Sequence, residues 1–185
     1  MGKLEIKYVE SKLLRVPDWK ATHILRPDLL VLSASLMEFG FIEPLHVRSG
    51  TNEIIDGSER FLLFTGVAKI KEAHGTTIPV IEHECDSLEA MMLHIRLNRG
   101  RGNLVAKKTS DIIRKLQKSG KYKKNDFDSL LCMKVDELEL MLQPSVIKSR
   151  KIQSHTYSRA CVPIEAPAGT VDSGPNLEVP PNPDR

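Results

Sequence analysis

The chain has 185 residues, 41% hydrophobic and 28% charged, enough for one core domain with appendages and ordinary for a soluble globular protein. Aromatic residues at 5% are too sparse for a base-stacking platform, no apolar run approaches membrane-span length, and the start MGKLEIKYVESK has no signal-peptide core, so a cytoplasmic protein with no membrane partner is expected. The net charge of +3 hides a segregation: eleven Lys and Arg between Arg96 and Lys124 face one acid, Asp111, so that stretch carries +10 and the remainder −7. A basic stretch so poor in acids is the electrostatic footprint of a polyanion binder.

In chain order, Leu4 to Val9 alternates apolar and polar residues and reads as a strand. Pro17, Asp18 and Trp19 lie in a connecting loop. Arg26-Pro27-Asp28 opens an apolar helix over Leu29 to Phe39, with Asp28 near the cap and Gly40 past the end. A second strand follows Pro44 within FIEPLHVR, and a turn at Ser49 to Asn52 folds Glu53 to Ile55 back as a hairpin. The next helix runs to about Lys71 and is broken at His74-Gly75. Ile78 to Ile81 is a buried strand, and Asp86 and Ser87 start a helix over Leu88 to Leu97. After the break NRGRGN come a helix over Val105 to Lys118 and two short helices, Asn125 to Cys132 and Val135 to Leu142. The last pair is helix-turn-helix-like, but the acidic sequence VDELELML is poor chemistry for lying along phosphates, which favours packing or homodimerisation for that helix. Beyond Pro144 the pattern loses its periodicity, so 144–185 is expected to be a Pro-rich, extended or disordered tail, with His155 to Arg159 its distinctive patch. Cys85, Cys132 and Cys161 stand apart with no CxxC pair and read as isolated thiols.

The most informative stretch is EIIDGSERFLLF, Glu53 to Phe64. A short strand enters a turn at Asp56-Gly57 and a helix begins at once. Asp56 with Glu59 three residues on has the spacing of a capping box. A helix N-terminus reached through Gly presents backbone N–H groups and the positive end of the helix dipole, which suits an anion, and Arg60 adds a guanidinium one turn in.

The order Leu29…Ser33…Leu36…Gly40, IEPLHV, EIIDGSER, IPVI, LNRGRGNL resembles the N-terminal domain of the ParB/sulfiredoxin superfamily, the "ParB-like nuclease" domain, over about 4–104. The resemblance implies an α/β (α+β) fold: a small mixed sheet with helices in a nucleotide-binding domain over 1–104, then a basic helical segment over 105–143 and the tail. In that superfamily a GxxR loop holds nucleotide phosphates, here Gly57, Ser58, Glu59 and Arg60. An ENxxR-like motif is matched by Asn98 and Arg101, with Leu97 in place of the acid. Ser58 stands where sulfiredoxins carry their reactive Cys, so sulfinic-acid reduction is not implied.

The function expected from residues and resemblance together is nucleotide-binding and DNA-associated. Gly57, Ser58, Arg60, Asn98 and Arg101 would hold a nucleoside triphosphate, CTP or ATP, with Mg²⁺, and Arg99, Lys107, Lys108, Arg114 and Lys115 would contact DNA. No residue is assigned as a metal ligand. Two enzymatic alternatives share the fold. One is a metal-dependent nuclease or nucleotide hydrolase using Asp56, Glu59 and Glu43. The other is a free amino-acid (serine) kinase with Glu59 or Glu43 as general base.

Overall fold

The structure is a computed structural model that describes residues 5–143; the expectations for Leu4 and for the tail 144–185, including Cys161 and the His155–Arg159 patch, lie outside the described residues. Four strands, β1 (Ile6–Glu10), β2 (Leu45–Arg48), β3 (Glu53–Asp56) and β4 (Thr77–His83), form one mixed sheet in the order β1-β4-β2-β3. The β2–β3 pair is the antiparallel hairpin that the turn residues predict, β1 pairs antiparallel with β4, and β2 runs parallel to β4. Pro79 sits in an inner strand without breaking it, because it faces Tyr8 of β1 while the β2 ladder begins one residue later at Val80. The α+β class expected from the sequence is the class observed.

One face of the sheet carries Leu45, Val47, Ile54, Ile78 and Val80, all fully buried. Against it pack α1 (Arg26–Phe39), α2 (Ser58–Gly66) and α3 (Ala68–His74) through Leu36, Phe64 and Ile70. The opposite face is open near β1, where Ile6 and Tyr8 point outward. It is closed near β3 by α4 (Ser87–Arg99). From α4 the chain enters a second core with α5 (Ala106–Lys118), α6 (Lys124–Leu131) and α7 (Val135–Leu142), built on Ile95, Ile113, Leu116, Phe127 and Leu138. Helix α5 is the clearest case of period-3.6 patterning: Ile112, Ile113 and Leu116 face inward and its lysines outward.

Several boundaries depart from the sequence reading. Helix α1 starts at Arg26, earlier than expected. Its cap position is Leu25, and Asp28 lies in the first turn without capping it. The helix after Gly57 does not continue to Lys71; it ends at Gly66, and extended Val67 (φ −110°) re-aims the chain so that Ile70 of α3 reaches the sheet core. The capping box forms at α4, where Asp86 accepts from the Leu88 and Glu89 N–H groups and Glu89 accepts from the Asp86 N–H.

The two cores are joined by His94 of α4, which is 2% exposed. Its Nδ1 lies 2.6 Å from the Ile55 carbonyl and its Nε2 accepts the Ala21 N–H at 3.1 Å, which assigns the proton to Nδ1 of a neutral ring. Burial lowers its pKa, outweighing the Ile55 carbonyl and the nearby Asp56 and Glu59 charges. Burial also lowers His46 and His83, and His46 is lowered further by its neighbour His83. As pH falls through about 6.5 the unfolded chain takes up protons that the folded chain refuses, so stability drops with acidification and levels off above that pH. Urea melts at pH 7.5, 6.0 and 5.0 are expected to show a falling midpoint; a midpoint that rises towards pH 5 refutes the assignment.

Candidate functional site

The turn after β3 is set by Gly57, whose φ of 90° lies in the left-handed region. A Cβ at this position would collide with Leu45 Cδ2 and would lie 2.8 Å from Arg60 Nη2. Gly57→Ala is therefore expected to cost about 1–2 kcal/mol from the backbone conformation alone, with more from the collision. Thermal melting checks this; an unchanged midpoint overturns it.

Gly57 is itself the cap position of α2, and no side chain caps the helix. The capping role expected of Asp56 is thus corrected. Asp56 is paired within the hairpin opposite His46, and its carboxylate is directed to the end of α4. It accepts from Asn98 Nδ2 at 2.9 Å and from Arg101 Nη1 at 2.6 Å, and Arg60 Nη2 stands 3.9 Å away. Glu59 does not complete a box either: it accepts from Thr22 Oγ1 at 3.0 Å and pairs with Lys20 Nζ at 2.7 Å. Among the described residues no side chain partners the first-turn N–H groups of α2, so this end presents donors and positive dipole to the space in front of it.

That space is a cleft of about 120 Å³ lined by Asp56, Gly57, Arg60, Asn98, Arg101 and Asn103, among others. Four of the five expected phosphate-binding residues line it; the fifth, Ser58, is buried in the first turn of α2 at 2% exposure. Arg60 and Arg101 converge on Glu43. Arg60 Nη1 donates to Glu43 Oε2, and Arg101 Nη2 donates to Glu43 Oε1 at 3.1 Å. Burial pushes the Asp56 carboxyl upward, but hydrogen bonds from Arg101 and Asn98, with the charges of Arg101 and Arg60, hold it below the usual carboxylate range. Asp56 is therefore an ionised anchor for the guanidinium groups. Of the three carboxylates expected as catalytic, Glu43 and Asp56 are brought together through Arg101, while Glu59 is held by Lys20 and Thr22. Among the described residues no group of three or more His, Cys, Asp or Glu side chains is placed to hold a metal ion.

The sequence reading missed Asn103, Lys20 and Thr22. The backbone of 21–23 pairs with 103–105 through an isolated bridge between Thr22 and Leu104 and hydrogen bonds from His23 to Asn103 and from Val105 to Ala21. The only local signal was the position of Asn103 inside NRGRGN.

The basic stretch is less open than its composition suggests. Arg99 makes two hydrogen bonds of 2.8 Å to Glu137 of α7. Arg114 pairs with Asp111 and donates to the Leu142 carbonyl, Lys121 pairs with Asp86 and Glu89, and Lys124 pairs with Glu139. The acidity of α7 that argues against DNA reading serves here to fasten it to α4 and α6. Among the described residues Lys107, Lys108 and Lys115 have no ion-pair partner and share the exposed side of α5.

The fold is similar to that of ParB N-terminal domains. The C-terminally truncated chromosome-partitioning protein ParB from Caulobacter crescentus, solved in complex with the centromeric parS site, aligns with 77% of this chain and 75% of its own at a TM-score of 0.50 and 18% identity. The same protein complexed with CTP-gamma-S aligns with 78% of this chain and 83% of its own at 0.43 and 19% identity. In sequence the chain is 26% identical to the uncharacterized protein YbdM of Escherichia coli (strain K12) over 158 residues, 84% of this chain and 75% of that one. No protein-family model matches the chain. No helix among the described residues is long and apolar enough to cross a membrane.

Proposed function

We propose that this chain is a nucleotide-binding, DNA-associated protein that holds the phosphates of CTP or ATP, with Mg²⁺, in the Gly57–Arg60 cleft. The observation that carries the proposal is the convergence of Arg60 and Arg101 on one point in front of the uncapped α2 N-terminus. In the resting protein that point is taken by the Glu43 carboxylate, an anion of the kind the cleft would accept. Among the described residues Arg60 Nε is buried without an acceptor, and Gly57 leaves no Cβ in the approach, so the residues present fit a phosphate group. Mg²⁺ bound with the nucleotide would supply charge neutralisation of the phosphates. The protein's own part is to supply guanidinium donors, fixed through Asp56, and the free amides of α2. Calorimetry with CTP, ATP and GTP in Mg²⁺ tests the reading; if no nucleotide binds, the phosphate site is wrong.

DNA contact would come from Lys107, Lys108 and Lys115, with Arg99 and Arg114 serving as struts to α7. The fold shared with a partitioning protein solved on DNA supports this partner. Replacing the three lysines by alanine is expected to weaken duplex binding and to lower the slope of log affinity against log salt by about 2–3, because each lost phosphate contact removes about 0.9. Fluorescence anisotropy across a salt series measures it, and an unchanged slope moves the DNA contact elsewhere. Homodimerisation through the outer face of α7 would add a second set of lysines, and light scattering reads the oligomeric state directly.

A further inference from the structure

We propose that Asn103 reads the ligand: its side-chain oxygen accepts a hydrogen bond from a sugar hydroxyl of the bound nucleotide. The proposal rests on the nucleotide reading above. Asn103 Oδ1 is buried, its residue lines the cleft, and among the described residues it meets no donor. The main chain here is held, because the Asn103 carbonyl takes the His23 N–H at 3.0 Å and the Val105 N–H reaches the Ala21 carbonyl at 2.7 Å, so only the side-chain torsions need turn to bring the amide to a ligand in the cleft. The guanidinium groups of Arg60 and Arg101 on the same cleft favour the amide oxygen facing inward over its NH₂.

Two orphan atoms of opposite sense thus belong to one cleft: Arg60 Nε, a donor, and Asn103 Oδ1, an acceptor. A buried polar group left unpaired costs free energy that a complementary partner recovers. An ionised phosphate satisfies the arginine, since its oxygens accept. It cannot satisfy Asn103, which needs a donor. The ligand must therefore carry a hydroxyl or amine close to its phosphates. In a nucleoside triphosphate the sugar hydroxyls lie near the phosphates and any base amine lies at the far end. The cleft shares Ile24 and Glu59 with a larger, more apolar cavity of about 460 Å³ between α1 and α2, so the rest of the ligand has room beyond Asn103.

The test is calorimetry on the full chain and on Asn103→Ala. The probes are CTP, ATP, their 2′-deoxy and 3′-deoxy forms, UTP, and inorganic tripolyphosphate. Asn103→Ala is expected to weaken the nucleoside triphosphate about five- to tenfold and to leave tripolyphosphate unchanged. One deoxy form should lose the same factor on the wild type and nothing further on the variant. Equal weakening of tripolyphosphate by the variant, equal deoxy penalties on both proteins, or a loss that follows the base amine of CTP against UTP overturns the proposal. Tripolyphosphate binding with no gain from any nucleoside overturns it while sparing the phosphate site; failure of every probe on the wild type removes the phosphate site itself. Should Asn103→Ala not fold, Asn103→Ser and the wild-type deoxy series carry the same comparison.

Discussion

Replacing Arg60 by alanine is expected to weaken triphosphate binding about 10- to 100-fold, the range for losing a hydrogen bond to a charged group. Three features of Arg60 set this expectation. Its side chain is only 13% exposed, so its interactions are poorly screened. It lies over Gly57, where even a Cβ would be too close. Among the described residues its buried Nε has no acceptor, so a ligand oxygen would give it one. Arg60→Lys is not expected to rescue, because an ammonium lacks the planar fork that engages two oxygens at once. Folding should suffer little, since Glu43 is nearly half exposed and keeps Arg101 as a partner. Calorimetry with parallel melting curves separates the two effects. A variant that binds as tightly as the wild type removes Arg60 from the site.

The largest loss of stability is expected at Asp56. This carboxylate is 4% exposed and gathers Asn98, Arg101 and Arg60 from two structural units. Asp56→Ala would leave Arg101 and the buried amide of Asn98 facing each other with no acceptor between them. Arg101 is 43% exposed and keeps Glu43, and Asn98 keeps the His94 carbonyl, so the expected loss is that of unpairing buried hydrogen-bond partners, about 1–3 kcal/mol. The pH dependence carries the sign of a depressed carboxylate. The contribution of Asp56 is complete above its unfolded value near 3.9 and is lost as pH falls through the lower folded value. Wild type is thus expected to lose stability below about pH 4 more steeply than Asp56→Asn. Urea denaturation at neutral pH and in acid measures both; a neutral-pH loss under about 1 kcal/mol for Asp56→Ala contradicts the anchoring role.

Asp56 also shows where the sequence was readable and where it was not. The hairpin, α4 and the helices α5 to α7 follow from local periodicity and turn residues, and were legible within a few positions. The D-x-x-E pattern occurs at Asp56–Glu59, at Asp86–Glu89 and, inside α7, at Asp136–Glu139, and of the three only Asp86–Glu89 is a capping box. What separates them is not local. Asp56 is committed to β3, and its partners Asn98 and Arg101 lie 42 and 45 residues further along the chain. The family resemblance put Gly57, Arg60, Asn98 and Arg101 in one region, but no pattern showed that Glu43 would sit between the arginines. The same limit applies to charge. The +10 stretch read from composition includes Arg99, whose partner Glu137 lies 38 residues away on a helix notable in sequence only for its acidity. Asn103 had only its position in NRGRGN as a signal, because its place depends on the pairing of 21–23 with 103–105, far apart in sequence.

The sharing of Glu43 and Asp56 between Arg60 and Arg101 makes the resting cleft electrically balanced, two guanidinium groups against two carboxylates. On the proposed reading, a phosphate arriving there would not fill a positive vacancy; it would trade places with a tethered carboxylate that is already bound. Affinity would then be the difference between two similar contacts, which would keep it moderate even though each contact is strong. Exchange of this kind would also reward ligands with several phosphates, because one group could displace Glu43 while another took the amides of α2. A lone sulfate or monophosphate would meet the full competition of the chain's own carboxylate and gain little.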